Sequence, residues 1–325
     1  MKALVLLCAL AATNALAQPR SVDLYIGYSV GGGYDIYARL LARHMARHLP
    51  GNPTIVPRNM EGAGSLRLAN FLNKAAPRDG SAFGTIGRAV AFEPLFGEHS
   101  AQFKATEFGW LGSANDEVSV CAAWGKTGIT RFEDLYREVF VGGTGGNSDT
   151  DTFPKAINSI LGTKMKLVTG YPGGNDITLA MQRGEVQARC GWSWSSIKTN
   201  HAAWVKDGTL KILAQLALEK HPDLPHVPLI MDMVKTPEQR QVLRLVFAGQ
   251  VMGRPFLAPP GVPADRLAAL RKAFMATMQD PAFLAEAEKI KLEIRPVSGE
   301  AVQKLVAEVY ASPPEVVKKA AAALR

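Results

Sequence analysis

Three times in this chain an apolar, strand-like run empties into a glycine-rich or polar loop that opens a helical stretch, and this unit restricts the fold more than any other feature. The first run, 22–28 (VDLYIGY), leads through Ser29 and Val30 to Gly31-Gly32-Gly33-Tyr34-Asp35. From Asp35 onward Ile36, Leu40, Leu41, Met45 and Leu49 recur at helical spacing, with Arg39, Arg43 and Arg47 on another face. The second run, 139–141, meets the loop 142–149 (GGTGGNSD), and the third, 166–169, meets 170–176 (GYPGGND). Strands alternating with helices in this way build an α/β fold with mostly parallel sheets.

The rest of the chain continues the pattern. A strand at 54–56, a helix at 66–74 and a strand at 82–86 ending in Gly87-Arg88 complete βαβαβ, half of a doubly wound sheet. Further strands are expected at 118–124, 186–190 and 210–215, helices at 132–136, 152–161 and 177–183, and a strand-like run at 246–257. The segment 258–263 (APPGVP) is a turn, and two helices, 264–278 and 300–310, close the chain.

The beginning of the sequence reads as a secretory signal. Lys2 precedes the uncharged run 3–12 (ALVLLCALAA), and Ala15-Leu16-Ala17 supplies the small-x-small cleavage pattern, so residues 1–17 are expected to leave before Gln18. The apolar run is about half the roughly twenty residues that span a bilayer. Leu7 is too large for lipoprotein cleavage at Cys8. The expected compartment is the periplasm. The mature chain of about 308 residues exceeds what one core usually serves, which argues for two domains. Losing Lys2 lowers the net charge from +8 to +7; without a dense Lys/Arg run, and outside the cytoplasm, this basic balance does not point to nucleic acid. Cys121 and Cys190 remain; in an oxidising space they can pair, or stay as two separate buried thiols.

Glycine loops opening helices suit anions, because the first N–H groups of a helix are unpaired and glycine lets a ligand approach the backbone. A dinucleotide fingerprint fails, since Ile36 stands where its third glycine would be. Gly125-Lys126-Thr127 mimics the end of a P-loop, but Val120 stands where the upstream glycine is needed. His44 and His48 lack the Glu and third ligand of a zinc motif. Gly191-Trp192-Ser193-Trp194-Ser195 is only a loose nucleophile elbow. Arg88 is a candidate carboxylate contact or a solvated loop arginine. Asp35 is a candidate ligand contact or a helix cap. Trp192 and Trp194 alternate after a strand, and either wall a cleft or fill a core.

Together these motifs resemble the periplasmic solute receptors of tripartite tricarboxylate transporters, the Bug-type receptors. The resemblance rests on Gly31-Gly32-Gly33-Tyr34-Asp35, Asn59…Gly62-Ala63-Gly64, Ala75-Ala76-Pro77-Arg78-Asp79-Gly80, the 142–146 loop, Tyr171-Pro172-Gly173-Gly174 and the 258–263 turn. It implies a two-domain periplasmic binding protein fold of type II-like form, with a ligand cleft between domains. One domain would take 18–122 and 248–325, the other 123–247. It also implies a small carboxylate held by Val30, Gly31, Gly32, Gly33, Asp35, Ala63, Gly64, Thr144, Ser148, Tyr171 and Asp176; Arg88 and Trp192 join these from the reading above. The implied partner is a membrane permease, with the receptor monomeric, no cofactor and no catalysis. A secreted enzyme acting on a small acid and a receptor for a sensor kinase are the alternatives. Three departures fall in the ligand-facing loops: Tyr28-Ser29-Val30 where prolines are usual, Asn59-Met60-Glu61 where Arg-Pro is usual, and Arg88 in place of an uncharged polar residue.

Overall fold

The computed structural model describes residues 20–97, 100–145 and 148–325; the expected signal at 1–17 lies outside these. In chain order the strands are β1 (Ser21–Ile26), β2 (Thr54–Asn59), β3 (Ala82–Thr85), β4 (Gly109–Ser113), β5 (Ser119–Trp124), β6 (Glu138–Gly142), β7 (Lys164–Val168), β8 (Ala188–Ser193), β9 (Leu210–Leu216), β10 (Pro255–Ala258) and β11 (Val297–Ser298). They form two sheets, one for each lobe. The first has the order β11-β4-β10-β3-β1-β2 and the second β7-β6-β8-β5-β9.

Each sheet is parallel on one side and antiparallel on the other. β1 pairs in parallel with β2 and β3, and β6 with β7 and β8. β10 runs antiparallel to β3 and β4, and β5 to β8 and β9. This is the expected α/β class. Two chain segments pass between the lobes side by side. Gly253 N–H donates to the Asn115 carbonyl at 2.9 Å, and Glu117 N–H to the Gln250 carbonyl at 2.8 Å.

Periodicity located most elements, and helix Gly33–Met45 buries Leu40, Leu41 and Met45 as its spacing requires, while Tyr37 rather than the partly buried Ile36 fills the first core position. Three expectations need correction. The run expected as strand at 246–257 begins as the end of helix Pro237–Val246, passes through a 3-10 turn, and becomes β10 only at Pro255. The helix announces itself by a capping box, Thr236 with Gln239, and by Pro237 in its first turn. Second, the C-terminal region holds Ala264–Met278, Pro281–Lys289, Gly299–Tyr310 and Pro314–Ala323, four helices rather than two. Third, the fully buried strand β4 was not expected, because GWLGS has little strand character. Its glycines serve close approach: a Cβ on Gly109 would lie 2.7 Å from Leu267, and one on Gly112 2.5 Å from Phe274.

Cys121 on β5 and Cys190 on β8 are register partners, both fully buried, and are joined by a disulfide inside the second sheet. His44 and His48 pair with Glu286 and Asp280 on the neighbouring C-terminal helix and its cap, a role as helix-to-helix contacts.

Candidate functional site

The C-terminal ends of β1, β6, β7 and β8 all point into the seam between the lobes, where open α/β sheets bind ligands. They enclose a cavity of ≈ 40 Å³. Tyr28, Gly32, Gly33 and Tyr34 reach it from the first lobe, and Arg254 enters just ahead of β10. From the second lobe come Thr144, Asp149, Gly174, Asn175, Arg189, Trp192, Ser193 and His201. The lobes are shut against each other. Gly64 N–H donates to the Thr144 carbonyl at 3.0 Å, and Ser29 Oγ donates to the Asp176 carboxylate at 2.8 Å.

Three guanidinium groups crowd this seam, and they are not equivalent. Arg88 is fully buried; its Nη2 meets Asp149 Oδ2 at 2.5 Å and Ser119 Oγ at 2.6 Å, and its Nη1 meets Ser193 Oγ and the Gly253 carbonyl. Burial is the largest single influence and works against its charge, but Asp149, Tyr34, Glu117 and Tyr28 together outweigh it and raise its pKa above the usual arginine value. Asp149 sits in the first turn of helix Asp149–Leu161, where the helix dipole favours a carboxylate. That turn packs on Gly191, whose positive φ of 84° and lack of Cβ admit the Asp149 carbonyl. Arg254 is equally occupied. Its Nη1 and Nη2 bond Ser193, Ser195, Ser196 and the Gly253 carbonyl, and Nη2 lies 3.3 Å from Glu117.

Arg189 differs. Its buried Nε lacks a protein acceptor, as do those of Arg88 and Arg254, but its terminal nitrogens make a single bond, Nη1 to the Gly174 carbonyl at 3.1 Å, and no carboxylate within 4 Å pairs with it among the described residues. The guanidinium rests over the Trp192 ring, 4.8 Å from its centroid. It also lies against the first residue of helix Gly174–Arg183, the positive end of that helix. Desolvation lowers its pKa most; Asp149 and then Tyr28 oppose this, Arg254 and Arg88 add to it, and the pKa comes down to about 10, so it stays charged at neutral pH. Burial and Arg189 push His201 down to about 4, so that ring is neutral and stacks on Trp204.

Of the residues expected to hold a ligand, Gly32, Gly33, Thr144 and Trp192 line the cavity. Trp194 parts from Trp192 and donates its ring N–H to Asp223. Arg88 lies behind the cavity on Asp149. Asp35 holds its own loop and helix: its carboxylate accepts from Gly31 N–H, Arg39 and Asn59. Val30 is 66% exposed outside the cavity, and Gly31 turns the loop with a φ of 79°. Ala63 and Gly64 form a positive-φ turn against the second lobe, outside the cavity lining. Ser148 precedes the helix of Asp149 and bonds Thr144 and Asp151. Tyr171 reaches Glu185, and Asp176 receives Ser29, both away from the cavity. The elbow-like serines are arginine acceptors, and Ser195 Oγ donates to Glu117; no histidine bonds them among the described residues.

Sequence reading missed Arg189, Arg254 and Asp149 as site residues. A signal existed for the two arginines, since each interrupts or adjoins an apolar strand (VQARCGW and GRPFLA) whose partners must be internal.

No protein-family model matches the chain, and no curated protein sequence matches it. Solved structures do. The periplasmic binding protein BugD superposes with a TM-score of 0.74 at 20% identity, over 94% of this chain and 98% of that one. Rpa4515 of R. palustris with adipate gives 0.72 at 20% identity over 93% and 97%. MatC of Rhodopseudomonas palustris with bound malate gives 0.71 at 20% identity over 92% and 99%. These likenesses establish a two-domain periplasmic binding protein fold over nearly the whole chain.

Proposed function

We propose that this protein is an extracytoplasmic solute receptor, exported to the periplasm, which closes on a small carboxylate and delivers it to a membrane permease of the tripartite tricarboxylate type. The observation that carries this reading is the Arg189 guanidinium, charged, facing the interdomain cavity and lacking a carboxylate of its own. Adipate and malate in two proteins of the same fold support the choice of carboxylate. Closure follows from differential affinity: a ligand touched by both lobes only when they are shut stabilises the shut form. The binding set within this reading is Gly32, Gly33, Thr144, Trp192 and Arg189, with Arg88 and Asp35 acting as supports.

A thermal-shift screen of the chain from Gln18 against organic acids, sugars and nucleotides tests it. A carboxylate is expected to raise the melting temperature in a concentration-dependent way. Shifts with sugars or nucleotides, and none with any carboxylate, would refute it.

A further inference from the structure

Around the cavity three guanidiniums, Arg88, Arg189 and Arg254, lie beside two carboxylates, Asp149 and Glu117, which are matched to Arg88 and Arg254; the seam's Asp176 and Glu293 are turned to Ser29 and Lys198 away from it. Each terminal nitrogen of those two arginines already has an acceptor. Among the described residues, the only other titratable side chain lining the cavity within reach of neutral pH, His201, is neutral. Nε lacks an acceptor in all three arginines, but among the described residues only Arg189 also leaves a terminal nitrogen, Nη2, without one. There Nε and Nη2 make the planar fork that binds one carboxylate through two parallel hydrogen bonds.

From this arrangement we infer that the ligand is a monoanion, its single carboxylate on the open edge of Arg189 and its uncharged remainder against the Trp192 ring. The inference rests on the carboxylate reading above and narrows it. Asp149 holds the place on Arg88 where a second ligand carboxylate would have to go. A dianion would therefore bury one charge without a counter-charge, and an uncompensated buried charge is strongly unfavourable. The cavity has room for about three water molecules, enough for a carboxylate head, so a longer ligand holds the lobes slightly further apart.

Calorimetric titration with matched pairs tests this: hexanoate against adipate, butyrate against succinate, lactate against malate. Within each pair the molecules differ mainly by one carboxylate. The monoanion is expected to bind at least tenfold tighter in every pair that binds. Asp149→Asn, which frees Arg88, is expected to shift that ratio at least tenfold toward the dianion. A dianion that binds wild-type protein as tightly as its partner overturns the inference while leaving the carboxylate reading standing. Silence from all six acids, with a neutral solute binding, overturns both. The wild-type comparison decides the matter even where the variant does not fold.

Discussion

Replacing Arg189 with glutamine separates a ligand anchor from a structural arginine. In the unliganded protein the side chain makes one hydrogen bond, to the Gly174 carbonyl, and lies near Arg88, Arg254 and a helix N-terminus, with Asp149 as an opposing charge that does not pair with it within 4 Å. Its pKa is depressed to about 10, mainly by burial. For a base the sign is clear: the fold disfavours this charge at every pH below that value, so a neutral replacement leaves the unliganded protein as stable or makes it more so. Binding behaves oppositely. Removing one partner of a desolvated, hydrogen-bonded charge pair costs about 2–4 kcal/mol, which is about 30- to 1,000-fold in affinity. The assay pairs calorimetric titration, using the best organic acid from the screen, with thermal melts with and without that acid. We expect an unchanged or higher unliganded melting temperature and a ligand-induced shift that disappears. Wild-type affinity in Arg189→Gln, or an unliganded melt several degrees lower, would refute the reasoning.

Other outcomes follow from neighbouring contacts. Arg88→Met strands the Asp149 carboxylate in the seam, and is expected to cost about 3–5 kcal/mol, whereas Arg88→Met with Asp149→Leu recovers most of it; chemical denaturation measures both. Gly33→Ala places a Cβ 2.2 Å from Ser196 Oγ, across the seam, so it is expected to prop the lobes apart and weaken ligand binding at least tenfold with each lobe still folded; small-angle scattering reads the opening. Glu293 joins the lobes through Lys198 and His221; burial opposes its charge, but these partners hold its pKa down to about 2. Its folded pKa is depressed, so its stabilisation is present above about pH 4.5 and is lost as pH falls through about 2. Glu293→Gln is expected to melt lower by an amount constant above pH 5 that vanishes toward pH 2. Reducing the buried disulfide, which spans a sequence separation of 69, is expected to remove at most about 4 kcal/mol.

The parts of the fold that were legible in the sequence are those governed by neighbours along the chain. The helices at 33–45 and 66–74 show in apolar spacing, and the loops that open helices show in their glycines, because periodicity and backbone freedom are local properties. β4 stayed hidden because its glycines answer to Leu267 and Phe274, far along the chain. The run at 246–257 misled because an apolar stretch of that length fits either period until the cap at Thr236 is weighed.

The site divides in the same way. The sequence by itself determined an α/β chain whose ligand-facing groups stand at the ends of strands, and it singled out an arginine there, Arg88. Only the tertiary structure decided which arginine is free. Arg88 meets Asp149 across 61 residues of chain, and Arg254 meets Ser193 across another 61, leaving the open edge to Arg189. Whether a charge is satisfied depends on which acceptors lie within about 3 Å of it, and that is set by how the two lobes come together.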